Sequence, residues 1–118
     1  MKECVPILPD LSFNIKNGNS LICREDISGK DMSIEVLCNI KPFEWSMINS
    51  GSKFDAIIGN PPYVKTEDIH TLETEAEFAV YKKKYKSAYK QFDKYFLFLE
   101  EAFNIFKRKW SNVLYRAE

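Results

Sequence analysis

Hydrophobic and polar positions divide the chain into short elements. Phe13-Asn14-Ile15-Lys16 alternates apolar with polar and predicts a short strand closed by Asn17-Gly18-Asn19. Before it, Pro6, Pro9 and Asp10 make residues 1–12 an extended lead-in. Residues 34–40 are apolar enough for a strand or a short helix, and Pro42 stops either one. A further helical turn is expected around Glu44-Trp45, and Ser50-Gly51-Ser52 is a loop. Phe54-Asp55-Ala56-Ile57-Ile58-Gly59 is a short apolar run between turn signals, which suits a buried strand of a parallel sheet.

From 66 to 109 no Gly or Pro interrupts the chain, and the stretch predicts helix in two or three pieces. Thr66 followed by Glu67 and Asp68 places acids where a helix dipole is positive. In the last piece, 92–109, Phe92, Tyr95, Phe96, Leu99, Ala102, Phe103 and Phe106 recur at helical spacing as one apolar stripe facing a core. Lys107-Arg108-Lys109 suits a helix C-terminus, and Val113-Leu114-Tyr115 is too short to assign.

Composition narrows the class. With 118 residues, 45% hydrophobic and 14% aromatic, the chain has the makings of one small folded domain, not of a disordered one. No run approaches the ~20 apolar residues of a spanning helix. Residues 1–10 carry no secretion signal, so no membrane role is expected. Cys4, Cys23 and Cys38 are odd in number and form no Cys-x-x-Cys pair. They give neither a disulfide framework nor a zinc signature, and fit inert thiols in the cytoplasm. His70, in a polar run, reads as a solvated surface residue.

Seventeen basic and seventeen acidic residues cancel, but not locally. Residues 67–77 hold five acids and no Lys or Arg; residues 82–94 hold six lysines against Asp93. Lys82, Lys83, Lys86 and Lys90 are therefore either a solvated face or a phosphate-contacting one, with Tyr81, Tyr85 and Tyr89 interleaved. Tyrosines at that spacing share a helix face and can equally be core.

The most specific feature is Asn60-Pro61-Pro62-Tyr63. Average composition puts such a tetrapeptide in roughly one chain of this length in several thousand. Neither proline donates to a strand ladder, so a strand must end there, and both stiffen the backbone. The Asn60 carboxamide oxygen and the Pro61 carbonyl are two acceptors at the end of a strand, where doubly wound folds bind ligands. Together they can hold both hydrogens of an NH₂ group. On a ring-conjugated amine this localises the lone pair and offsets positive charge as it attacks, a preorganised electrostatic effect. Tyr63 offers a face for a planar base, worth about 1–3 kcal/mol in nucleic-acid systems. The bland alternative is a rigid turn with a core tyrosine.

Residues 54–63 resemble the catalytic motif of S-adenosylmethionine-dependent amino-methyltransferases. Residues 8–22, with 81–106 and its Phe92-Asp93-Lys94-Tyr95 and Phe98-Leu99-Glu100-Glu101-Ala102 runs, resemble the adenine-specific DNA methylases of Eco57I-like, type IIG restriction–modification enzymes. The resemblance covers about residues 8–108. It implies an α/β fold, a fragment of a Rossmann-like methyltransferase, with DNA as partner and S-adenosylmethionine as cofactor. Asn60 and Pro61 would hold the adenine amine, next to Pro62, and Tyr63 would stack on the base once flipped from the duplex. Gly18-Asn19 matches a family Gly-Asp, whose side chain contacts the cofactor adenine; Asn19 departs from the acid yet still accepts a hydrogen bond. Ser20 and Leu21 would lie beside that adenine. Without the family, Gly18-Asn19 is an ordinary turn.

The family's glycine-rich cofactor loop and its acidic follower have no counterpart, since Gly18, Gly29, Gly51 and Gly59 form no Gly-x-Gly. Nothing after Lys109 resembles a target-recognition domain. The expectation is a partial catalytic domain, inactive alone, that would need the rest of the parent methyltransferase. Core residues such as Ile57, Ile58 and Phe96 would be partly exposed and favour self-association. The rivals are a glutamine or ribosomal-RNA amino-methyltransferase fragment, and a non-catalytic remnant that binds nucleic acid or a partner.

Overall fold

The computed structural model describes residues 8–51 and 53–106. Among them are five α-helices: α1 (Arg24–Ile27), α2 (Ile34–Ile40), α3 (Thr66–Leu72), α4 (Glu75–Lys84) and α5 (Lys94–Ile105). Two 3₁₀ turns, Trp45–Met47 and Asn49–Gly51, fill the middle. The ambiguous stretch 34–40 is thus a helix, and the turn expected at Trp45 is present.

Local chemistry explains the boundaries. The Ser33 hydroxyl accepts from the Val36 amide at 3.3 Å and starts α2. Lys41, in the left-handed region at φ 48°, ends it ahead of Pro42. Thr74 and Glu77 form a reciprocal capping box on α4, with the Thr74 amide donating to Glu77 at 2.9 Å. The Asp93 carboxylate accepts from the Tyr95 amide at 3.1 Å, so α5 begins at Lys94 and not at Phe92.

The helical prediction for 66–109 holds as three pieces across the described residues. Lys107 to Lys109, residues 110–118 and residues 1–7, including Cys4, lie outside them.

Both strand expectations are corrected. Residues 12–14 form a turn, with the Asn14 and Ile15 amides both donating to the Leu11 carbonyl at 2.9 and 2.8 Å. Phe13 is 84% exposed, so the alternation has no core beneath it to reward a strand. Residues 54–59 are extended but join the fold at one parallel bridge, Phe54 to Phe106, through the Phe54 amide and the Ile105 carbonyl at 2.9 Å. A strand needs a neighbour's backbone to complete its hydrogen bonds. Among the described residues no neighbour runs beside 56–60. The two other bridges are Asn19 to Pro42, parallel, and Lys65 to Asp93, antiparallel.

The core gathers Leu21, Ile22, Ile27, Ile40, Ile69, Val80, Tyr81, Tyr85, Ala88, Phe92 and Leu97. Leu97 is fully buried, while Phe96, Leu99 and Phe103 of the predicted α5 stripe stay about two-fifths exposed. The helix therefore packs one face round from the stripe. Tyr81 and Tyr85 are core; Tyr89 is exposed, because α4 ends at Lys84 and the shared face ends with it. The Thr66 hydroxyl donates to the Phe92 carbonyl and accepts from the Phe92 amide, both at 2.7 Å. With the Lys94–Glu73 ion pair, this clamps α3 to the start of α5.

Candidate active site

Three segments converge on one cavity. In the first, the Asn19 carboxamide oxygen accepts from the Leu21 amide at 3.0 Å, an Asx turn that swings Ser20 and Leu21 inward. Gly18 makes this possible. A Cβ there would meet the Phe43 ring and Cβ at 2.8 and 2.9 Å, so only glycine lets 43 lie so close.

In the second, Trp45 is wedged edge-on between Phe43 and Phe54, at centroid distances of 5.0 and 5.9 Å. Its indole N–H donates to the Ser20 carbonyl at 2.9 Å. One side chain thereby ties 18–21 to the start of the extended segment. In the third, the Phe54–Phe106 bridge seats 57–61 opposite the C-terminal half of α5.

The cavity between them has a volume of about 510 Å³. Ser20, Leu21 and Trp45 form one side, Ile57, Ile58, Gly59, Asn60 and Pro61 another. Phe98, Leu99, Glu101, Ala102, Phe103, Ile105 and Phe106 form the third. That size and apolar character, with few polar groups, is typical of small-molecule sites. The partly exposed stripe on α5 is thus largely cavity wall.

The sequence candidates fall on both sides of this boundary. Ser20, Leu21, Asn60 and Pro61 line the cavity together although some forty residues separate the pairs. The Asn60 carboxamide makes no hydrogen bond to another described residue, so both its polar atoms are free for a ligand. Asn19 does not line the cavity: its oxygen serves the Asx turn and its nitrogen lies 3.5 Å from Glu77. Pro62 is exposed. Tyr63 is 75% exposed, beside Tyr95 at 5.9 Å between ring centroids.

The lysines do not form one face. Lys82 donates to the Ala88 and Lys90 carbonyls, both at 3.1 Å, and fastens the loop after α4. Lys90 lies over the Tyr89 ring at 5.4 Å. Lys83 and Lys86 point to solvent.

Trp45 and Glu101 were not visible as site residues in the sequence. Trp45 sits in a mixed stretch with no periodic signal. Glu101 lies among charges at the polar edge of a helical stripe. Glu101 is reached through Tyr85, whose buried hydroxyl donates to the Leu21 carbonyl at 2.6 Å and lies 3.1 Å from the Glu101 carboxylate. Burial first, and then the Glu101 charge, push the Tyr85 phenol above the ordinary tyrosine range.

Lys84 also donates to the Leu21 carbonyl, at 3.0 Å, and pairs with Asp26 at 2.9 Å. Burial would raise Asp26, but hydrogen bonds from the Cys23 amide and thiol and from Lys84 outweigh it and hold the carboxyl below its usual range. Burial, with the hydrogen bond to Asp26, raises the Cys23 thiol, which keeps it protonated and unreactive. His70 is exposed, its ring 3.9 Å from that of Phe78 between centroids.

Among the described residues no helix is long and apolar enough to cross a membrane. No solved structure matches the chain at a significant level. A curated relative, the type II restriction enzyme and methyltransferase RM.Eco57I of Escherichia coli, is 50% identical over 102 residues. The match covers 86% of this chain and 9% of that relative. The sequence model of the Eco57I restriction-modification methylases matches residues 9–114, most of the chain. The chain belongs to the Eco57I restriction-modification methylase family.

Proposed function

We propose that this chain is part of a DNA adenine-N6 methyltransferase of a restriction–modification system. The methyl group comes from S-adenosylmethionine and the acceptor is an adenine flipped out of the duplex. The observation that carries this reading is the shared cavity. It puts Ser20 and Leu21, the expected neighbours of the cofactor adenine, beside Asn60 and Pro61, the expected clamp on the target amine.

The residues present fit such a cofactor. Trp45, Leu99 and Phe103 offer apolar wall to a planar base, and the cavity volume suits a molecule of that size. When bound, the cofactor supplies an electrophilic methyl group. The protein's share is to hold and to exclude water. Asn60 and Pro61 accept from the two amine hydrogens, and their partial negative charge offsets the positive charge that grows on nitrogen. A rigid Pro61-Pro62 backbone keeps those acceptors in place without reorganisation. Exposed Tyr63, just beyond the cavity, is free to stack on an incoming base. Lys83, Lys86 and Lys90 are the candidates for phosphate contact.

The parent fold in this reading is Rossmann-like. Support comes from the Phe54–Phe106 bridge, which is parallel and closes a connection containing α3, α4 and α5, as a helical crossover requires. The 118 residues contain no glycine-rich phosphate or cofactor loop, so the chain alone is expected to be inactive. The cytoplasm is the expected setting. Purified chain is incubated with labelled S-adenosylmethionine and plasmid DNA, alone and beside a full-length enzyme carrying the segment. Incorporation into adenine is expected only with the full-length enzyme. Robust transfer by the chain alone overturns the fragment reading, and label on another base or on protein overturns the substrate.

A further inference from the structure

Among the described residues, Glu101 is the one charged side chain on the wall of an otherwise largely apolar cavity. It faces the same space as Asn60 and Pro61. Its position is held from behind: one carboxylate oxygen lies 3.1 Å from the Tyr85 hydroxyl and 3.5 Å from the Asn104 amide nitrogen. Tyr85 is 3% exposed and is itself tied to Leu21, on the opposite wall. The other Glu101 oxygen has no hydrogen bond to a described residue. A carboxylate beside apolar walls is poorly screened, so a cation entering that space gains more than it would in water.

We propose that Glu101 is the charge-recognising residue of the cavity, selecting a ligand that carries a positive centre on an apolar or planar body. This rests on the reading of the cavity as the cofactor site. A sulfonium centre has no N–H or O–H, so it cannot be recognised by hydrogen-bond acceptors. Beside the aromatic faces of the cavity, which also attract a cation, a fixed negative charge distinguishes it from its neutral thioether product. Product release is favoured for the same reason, because the transfer removes the charge Glu101 holds.

The test compares two probes that share adenosine and amino-acid ends. Sinefungin carries an ammonium group in place of the sulfonium; S-adenosylhomocysteine carries a neutral thioether. Each is titrated into the 118-residue chain at millimolar concentration and followed by NMR. Binding at that level does not demand turnover. Wild-type chain is expected to prefer sinefungin by about tenfold, or about 1.4 kcal/mol. Glu101→Gln, which keeps the shape and a polar partner beside the Tyr85 hydroxyl and removes the charge, is expected to bring the ratio close to one with thioether binding unchanged. Tyr85→Phe removes the tether and keeps the charge, and should lower the ratio only in part. A wild-type ratio near one, or a ratio that survives Glu101→Gln, overturns the role of Glu101 and leaves the cofactor site standing. If neither probe binds the wild-type chain, the same comparison is made in a full-length enzyme carrying the segment, which supplies the cofactor loop; binding of neither there overturns the cofactor reading of the cavity, and this inference with it.

Discussion

Residues 66–97 and residues 54–63 obey opposite rules. In the first, α4 and α5 start on side-chain caps and α3 carries acids in its first turn, and an apolar cluster of Ile69, Val80, Tyr81, Tyr85, Phe92 and Leu97 holds the pieces together. In the second, a run just as apolar stays extended, with Ile58 98% exposed and Asn60 bare. A helix closes its own backbone hydrogen bonds; a strand must borrow a neighbour's. The same hydrophobicity therefore yields a buried core in one region and an open wall in the other. The open region is the one that lines the cavity with Asn60 and Pro61.

The largest expected effect separates the two regions by readout. Asn60→Ala in a full-length enzyme carrying this segment should cut turnover by at least about 100-fold. Its thermal unfolding should not move, since Asn60 is exposed and bonded to no described residue. An active variant removes the catalytic side of the comparison.

Next, Leu97→Ala should cost about 2–5 kcal/mol in urea unfolding of the chain. Ile58→Ser should stay within about 0.5 kcal/mol and reduce self-association in sedimentation. Equal losses at both sites would mean that 54–59 is buried in solution. Gly18→Ala is expected to cost about 1–3 kcal/mol, because its methyl must displace Phe43. A neutral result would show that the Phe43 contact yields easily.

The smaller effects are in pH. Tyr81 and Tyr85 are raised above the ordinary value near 10, chiefly by burial, then by the charges of Glu73 and Glu101 respectively. A raised folded pKa means stability is complete below about pH 10 and falls as pH rises beyond it, when only the unfolded chain ionises. Ultraviolet titration should show two of the six tyrosines ionising only together with unfolding. Gradual ionisation of all of them in folded chain would contradict the burial of that pair.

Asp26 is lowered, so its contribution is present above the unfolded carboxylate value near 4 and fades as pH falls below it. Lys84→Met should flatten that acid limb slightly. An unchanged limb would assign the Asp26 shift to the Cys23 hydrogen bonds alone.

Much of the helical region is written in local chemistry. Thr66-Glu67-Asp68 marks a real helix start, and the described part of the Gly- and Pro-free run is helix in three pieces with a break at 85–93. Where α5 turns its face is not local: Leu97 is buried with Phe92, while Phe96, Leu99 and Phe103 of the expected stripe stay partly exposed. The Phe13–Lys16 alternation misled for a related reason. Alternation predicts a strand only where a core and a partner exist, and here three backbone atoms close a turn on Leu11 instead. Of the cavity residues, Asn60 and Pro61 stood out in the sequence as part of a rare tetrapeptide, whereas Ser20 and Leu21 were singled out only by the family resemblance. Trp45 and Glu101 did not stand out, since a lone indole and one acid among several carry no signal until a cavity forms around them.

Residue types alone therefore settle which groups are able to do chemistry: two rigid acceptors in Asn60-Pro61 and a stacking ring in Tyr63. Those are properties of single side chains and of adjacent peptide bonds. Which of them share a space was decided only by the fold. Cavity walls come from residues some forty positions apart, brought together by one parallel bridge, one indole hydrogen bond and one buried tyrosine. Contacts of that range depend on how separate elements pack, and no window of the chain contains them.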